Sequence, residues 1–82
     1  DIRQSALAIT QSAQLSFLDA VKAGVFTVPG DGCIDFAPIV NYLKEQDYEG
    51  WIVVEAEQDP DKAPPFIYAK LARAYLQRLL GF

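Results

Sequence analysis

Glu55 stands directly after the apolar run Trp51-Ile52-Val53-Val54, and Glu57 and Asp59 follow it at two-residue spacing. If the run is extended, alternation puts Trp51, Val53 and Glu55 on one side and Ile52 and Val54 on the other, with Glu57 sharing the parity of Glu55. Carboxylates gathered in that way bind a divalent cation through hard oxygen donors, or act as general acid or base. Two readings of Glu55 stand side by side. It points into the mouth of a barrel, where residues at the C-terminal ends of strands face the active site, or it is a solvated strand terminus. Glu57 is open in the same way. Asp59 and Asp61 read more simply as loop residues that cap the next helix.

A second group of chemical interest is Pro29-Gly30-Asp31-Gly32. Its glycine spacing fits neither the phosphate loop of nucleotide hydrolases nor the dinucleotide fingerprint, so a tight turn is the default. Asp31 is a candidate for binding a substrate hydroxyl, against the ordinary use of a turn aspartate to bond its own backbone. Arg3 and Lys22 are single basic residues that could hold an oxyanion. Cys33 reads as a small buried apolar residue rather than a nucleophile, since the chain contains no histidine to activate it. The same absence excludes a Ser-His-Asp triad and a histidine-rich zinc site within these residues.

The elements that would position these groups follow from spacing. Ser5 to Ala23 is helix-compatible but interrupted at Thr10, Gln11 and Ser12, which predicts two short helices, with Gly24 as the stop. Val25 to Val28 is a short apolar stretch. Asp35 is placed to cap a helix from Phe36 to about Gln46, with Pro38 tolerated in its first turn and Phe36, Ile39, Val40 and Leu43 on one face. Tyr48-Glu49-Gly50 breaks that helix. Trp51 to Val54 then reads as a strand buried on both faces, as in a parallel sheet. A polar, proline-containing loop from Glu57 to Pro65 leads to a helix from about Pro64 to Leu80. Its apolar face is Ile67, Leu71, Ala72, Tyr75, Leu76 and Leu79, and Gly81 ends it. Trp51 and Tyr48 read as core and rim packing.

Composition bounds the rest. The chain has 82 residues, 51% of them hydrophobic and 22% charged, enough for one small globular unit with a marginal core. A net charge of −4 with no Lys/Arg cluster disfavours nucleic-acid binding. No apolar stretch exceeds four residues, far from the roughly 18 needed to span a bilayer, and no signal-peptide pattern is present. One cysteine excludes an internal disulfide framework and fits a reducing, cytoplasmic setting. With no Met and with Asp at position 1, the chain is expected to lack its natural start. One strand cannot satisfy its own edges, so the chain is expected to be a fragment that self-associates or borrows strands when alone.

Two long stretches carry a resemblance. Ser16 to Gly32, with Phe17-Leu18-Asp19-Ala20-Val21-Lys22 leading to Pro29-Gly30-Asp31-Gly32, resembles the myo-inosose-2 dehydratases, and so does Gly50-Trp51-Ile52-Val53-Val54-Glu55-Ala56-Glu57-Gln58-Asp59-Pro60. More broadly the chain is similar to the xylose isomerase-like barrels, where a Tyr-x-Gly step leads into an eighth strand that ends in a glutamate. Tyr48, Gly50 and Glu55 match that pattern.

The resemblance implies an α/β fold. Residues 1–82 would be the C-terminal quarter of one (β/α)8 TIM-barrel domain: the loop after the seventh strand, helix 7, strand 8 (Trp51 to Glu55) and helix 8. Asp1-Ile2-Arg3 would be the tail of a Lys-Asp motif ending the seventh strand. The implied activity is the metal-dependent dehydration of 2-keto-myo-inositol in inositol catabolism by the full-length protein. There a divalent metal polarises the ketone, a base removes the adjacent proton, and a general acid helps the β-hydroxyl leave as water. The resemblance maps Glu55 onto a metal ligand, for Mn²⁺, Co²⁺ or Mg²⁺, while Asp31 and Glu57 are the candidate substrate contacts. The other ligands would lie on earlier strands, so no catalytic residue is assigned within the chain, and the fragment is expected to bind no metal and to be inactive alone. A small polyol ketone is the implied substrate, and a homo-oligomer is expected. The alternatives are a sugar isomerase or epimerase of the same superfamily, which would use the same Glu55, and a small stand-alone interaction module.

Overall fold

A computed structural model describes all residues, 1–82, with four helices: α1 (Gln4–Ala13), α2 (Phe17–Lys22), α3 (Ala37–Glu45) and α4 (Pro65–Leu80). Two short N-terminal helices form as expected, but α1 runs through Thr10, Gln11 and Ser12, and the break falls after them, at Gln14 in the left-handed conformation, φ 51°. Ser16 caps α2 by accepting from the Asp19 N–H at 3.2 Å. Gly24 (φ 87°) turns the chain out of α2. The N-cap of α3 is Phe36 rather than Asp35 and brings no side-chain cap; Asp35, one residue earlier, accepts from the Ala37 N–H at 3.0 Å. Gly81 ends α4 in the left-handed conformation, its N–H bonded to the Gln77 carbonyl.

The expected strand does not form. Residues 51–58 are extended chain with no regular element, and the backbone of 52–57 makes no backbone–backbone hydrogen bond. The cause is lack of a neighbour: a strand exists only by pairing, and the one pair of extended pieces in the chain is taken up with itself. Ile2 and Phe26 form an antiparallel bridge, with Arg3 N–H donating to Val25 O at 2.9 Å and Thr27 N–H to Asp1 O at 3.0 Å. Of the α/β architecture, therefore, the helices are present and the paired strand is not.

The alternation read from the sequence survives only in part. Ile52, Val54, Ala56 and Gln58 line a cleft of about 870 Å³ between residues 50–58, α3 and α4, but Trp51, whose parity puts it with Val53, lines it too. Val53, Glu55 and Glu57 are exposed, and so are Ile52 and Val54.

Packing is correspondingly thin. Ala6, Ala20 and Val25 form a small core under α1 and α2, with Ile2, Leu7 and Phe26 packed against it. Val40 of α3 and Ala72 of α4 are buried, and Phe36 meets Tyr75 edge-on with ring centroids 6.5 Å apart. The radius of gyration is 14.2 Å, against about 12 Å for a compact globule of this length.

Several burial expectations need correction. Trp51 is 89% exposed rather than core, because the layer it would pack against is absent. Ile39, Ile67 and Leu71 are also exposed, since α3 and α4 meet each other along a neighbouring stripe. Cys33 is exposed, its thiol 3.7 Å from the Gln4 side-chain oxygen. Leu76 lines the cleft and is half-buried. Leu76→Ala in the full-length protein is expected to cost about 2–5 kcal/mol, as for a covered leucine. A urea titration showing a change within about 0.5 kcal/mol would mean that this stripe faces solvent there too.

Candidate functional site

The polar groups gather around the turn after the Ile2–Phe26 bridge. Arg3, brought in by the extended N-terminal segment, places Nη2 2.8 Å from Asp31 Oδ2 and 3.0 Å from the Tyr68 hydroxyl, and Nη1 3.1 Å from the Gly24 carbonyl. Its guanidinium lies over the Tyr68 ring, 5.8 Å from the centroid. Thr27, the most buried polar residue at 1% exposure, donates its hydroxyl to the same Asp31 oxygen at 2.7 Å and lies 3.4 Å from Gln58 Nε2. One network thus joins the N-terminal segment, the 29–32 turn, the loop after residue 55 and α4. Asp31 Oδ2 is committed to Arg3 and Thr27, and Oδ1 receives no hydrogen bond from the chain.

The turn itself is built on close approach. Gly30 has φ 96°, and a Cβ there would sit 2.5 Å from the Tyr75 ring. A Cβ on Gly32 would overlap the Asp1 carboxylate and the Ile2 carbonyl oxygen. Both glycines are dictated by these neighbours rather than by any bound anion.

Glu55 and Glu57 are elsewhere, on the segment after Val54, exposed and outside every ion pair of the chain. Asp59 turns inward on its own loop, accepting from the Asp61 N–H at 3.0 Å. Asp61 caps nothing: the N-cap of α4 is Pro64, whose side chain carries no acceptor, and the helix starts at Pro65 without a side-chain cap. No three acidic, thiol or imidazole groups converge anywhere to hold a metal. Partial burial pushes the terminal amine of Asp1 below its ordinary value.

Asp31 is therefore placed as the sequence suggested for a turn aspartate, but paired to Arg3 rather than to its own backbone. The roles of Thr27, Gln58, Tyr68 and Asp1 were not legible in the sequence. Thr27 and Gln58 carried a signal, as polar residues inside the two long motifs. No helix is long and apolar enough to cross a membrane.

No family model matches the chain. Individual proteins do. It is 56% identical to an inosose dehydratase of Geobacillus kaustophilus over 80 residues, 98% of this chain and 26% of that protein. It is 57% identical to an inosose dehydratase of Clostridium tetani over 77 residues, 94% of this chain and 26% of that protein. For an inosose dehydratase of Clostridium beijerinckii the identity is 56% over 82 residues, 100% of this chain and 28% of that protein. The resemblance expected from the two long motifs holds: in sequence, the chain is a relative of the inosose dehydratases along essentially its whole length. It spans about a quarter of the length of the curated relatives it matches.

Proposed function

We propose that these residues are the C-terminal quarter of a cytoplasmic, metal-dependent carbon–oxygen lyase that dehydrates 2-keto-myo-inositol. The observation that carries the reading is identity of 56% to an inosose dehydratase over 98% of the chain. The position of the acids supports it: Glu55 and Glu57 follow the apolar run Trp51 to Val54 at matching parity and are both exposed, as strand-end groups are at the mouth of an α/β barrel. In this reading Glu55 is a metal ligand, Asp31 offers its unengaged Oδ1 to a substrate hydroxyl, and Glu57 is the second substrate contact.

The chain by itself does not fit a metal, since Glu55 supplies one carboxylate and no further acidic, thiol or imidazole pair joins it. The remaining ligands belong to the rest of the full-length protein, and the isolated chain is inactive.

The test is an assay of the full-length protein on 2-keto-myo-inositol with and without chelator. Chelator-sensitive loss of water from the substrate is expected. No turnover, or its conversion to an isomer without loss of water, overturns the dehydratase reading.

A further inference from the structure

Four backbone N–H groups converge on one side chain. Asp1 Oδ1 accepts from Ile2 at 2.7 Å and Ile34 at 3.0 Å, and Oδ2 accepts from Gly30 at 3.2 Å and Gly32 at 3.0 Å. Between them, the N–H of Asp31 goes to Val28 O and that of Cys33 to Ile2 O. Alternate amides of the 29–34 turn thus bond to main chain and to this carboxylate.

The energetics favour a holding role. A carboxylate has about four lone-pair positions, and four donors fill them. Hydrogen bonds to a charged acceptor are about twice as strong as neutral ones. A carboxylate so engaged has no capacity left for a metal or a proton. Without it, three turn amides would be left with no partner in the chain. The Gly32 position shows how closely the two are fitted, since any side chain there would displace the carboxylate.

We propose that Asp1 is the positioning residue of this turn: its carboxylate fixes residues 29–34 and so aims Asp31 toward Arg3 with Oδ1 left open for substrate. The inference rests on the reading of Asp31 as a substrate contact. Asp1→Asn keeps the shape but turns one oxygen into a donor facing the turn amides. Gly32→Ala keeps the carboxylate but pushes it out of place.

Both variants are to be made in the full-length protein and followed by amide hydrogen exchange and by kinetics. Exchange across residues 29–34 is expected to quicken by about tenfold or more while α3 and α4 stay as in the wild type, the loss matching a charge-assisted bond. KM for 2-keto-myo-inositol is expected to rise by about tenfold with kcat changed far less, as for lost substrate positioning. Unchanged exchange in folded Asp1→Asn overturns the proposal, and so does quicker exchange with KM and kcat both unchanged. If Asp1→Asn fails to fold, Gly32→Ala carries the same two readouts. If wild-type protein leaves 2-keto-myo-inositol untouched, the functional reading falls, and the exchange result alone decides whether Asp1 holds the turn.

Discussion

Glu55→Gln in the full-length protein is expected to lower kcat/KM on 2-keto-myo-inositol by about a thousandfold or more, with loss of bound divalent metal. The side chain keeps its size, so the change isolates the charge. Hard cations select anionic oxygen donors, and a Lewis-acidic metal contributes several kcal/mol of transition-state stabilisation, each 1.36 kcal/mol being about tenfold in rate. Glu55 is suited to the role by what it does not do here. Asp31 is tied to Arg3 at 2.8 Å and Thr27 at 2.7 Å, whereas Glu55 is exposed and belongs to no ion pair. Metal content by elemental analysis and steady-state kinetics, measured together, check this. Wild-type activity in a metal-replete Glu55→Gln protein would make Glu55 a solvated residue and nothing more.

The isolated chain is expected to self-associate at micromolar concentration, with light scattering behind size exclusion giving a mass well above the 9.1 kDa of one copy. The exposed apolar side chains of the extended segment drive this. Trp51 is 89% exposed and Val53 80% exposed, and the backbone from 52 to 57 has no backbone partner. Unpaired strand edges flanked by apolar side chains recruit another chain. Val53→Lys places a charge among them without touching the cleft, and is expected to shift the distribution toward one copy. A wild-type chain that elutes as a single copy and unfolds cooperatively would show that these side chains need no cover.

These two predictions draw on different parts of the molecule, and the parts were not equally readable. The break between α1 and α2, the stops at Gly24 and Gly81 and the service of Asp35 to α3 are local events. Spacing and glycine placement decide them within a few residues: the chain breaks at Gln14 rather than at Thr10 to Ser12, turns at Gly24 and Gly81, and has Asp35 one residue before the N-cap of α3. The alternation of residues 52 to 58 is equally local: an extended chain sends successive side chains to opposite sides whether or not a neighbour is paired. Glu55 and Glu57 share that parity, and both are exposed.

What depends on distant partners was not. A strand at Trp51 to Val54 is a property of two segments, and only one is present, so an apolar, β-branched run remains extended and unpaired. Which stripe of α4 is covered depends on where α3 lies, and this left Ile67 and Leu71 exposed while Ala72 became buried. Asp59 and Asp61 differ only in the path of their loop, and that path gave the turn-capping bond to Asp59. The pairing of Asp31 with Arg3 spans 28 residues, and the hold of Asp1 on Ile34 spans 33. By itself the sequence determined the helices, their ends to within a few residues, the shared parity of the carboxylates and the kinship with inosose dehydratases. Tertiary structure alone decided which polar groups meet, because a hydrogen bond needs its partners within about 3 Å and local spacing says nothing about residues thirty positions away.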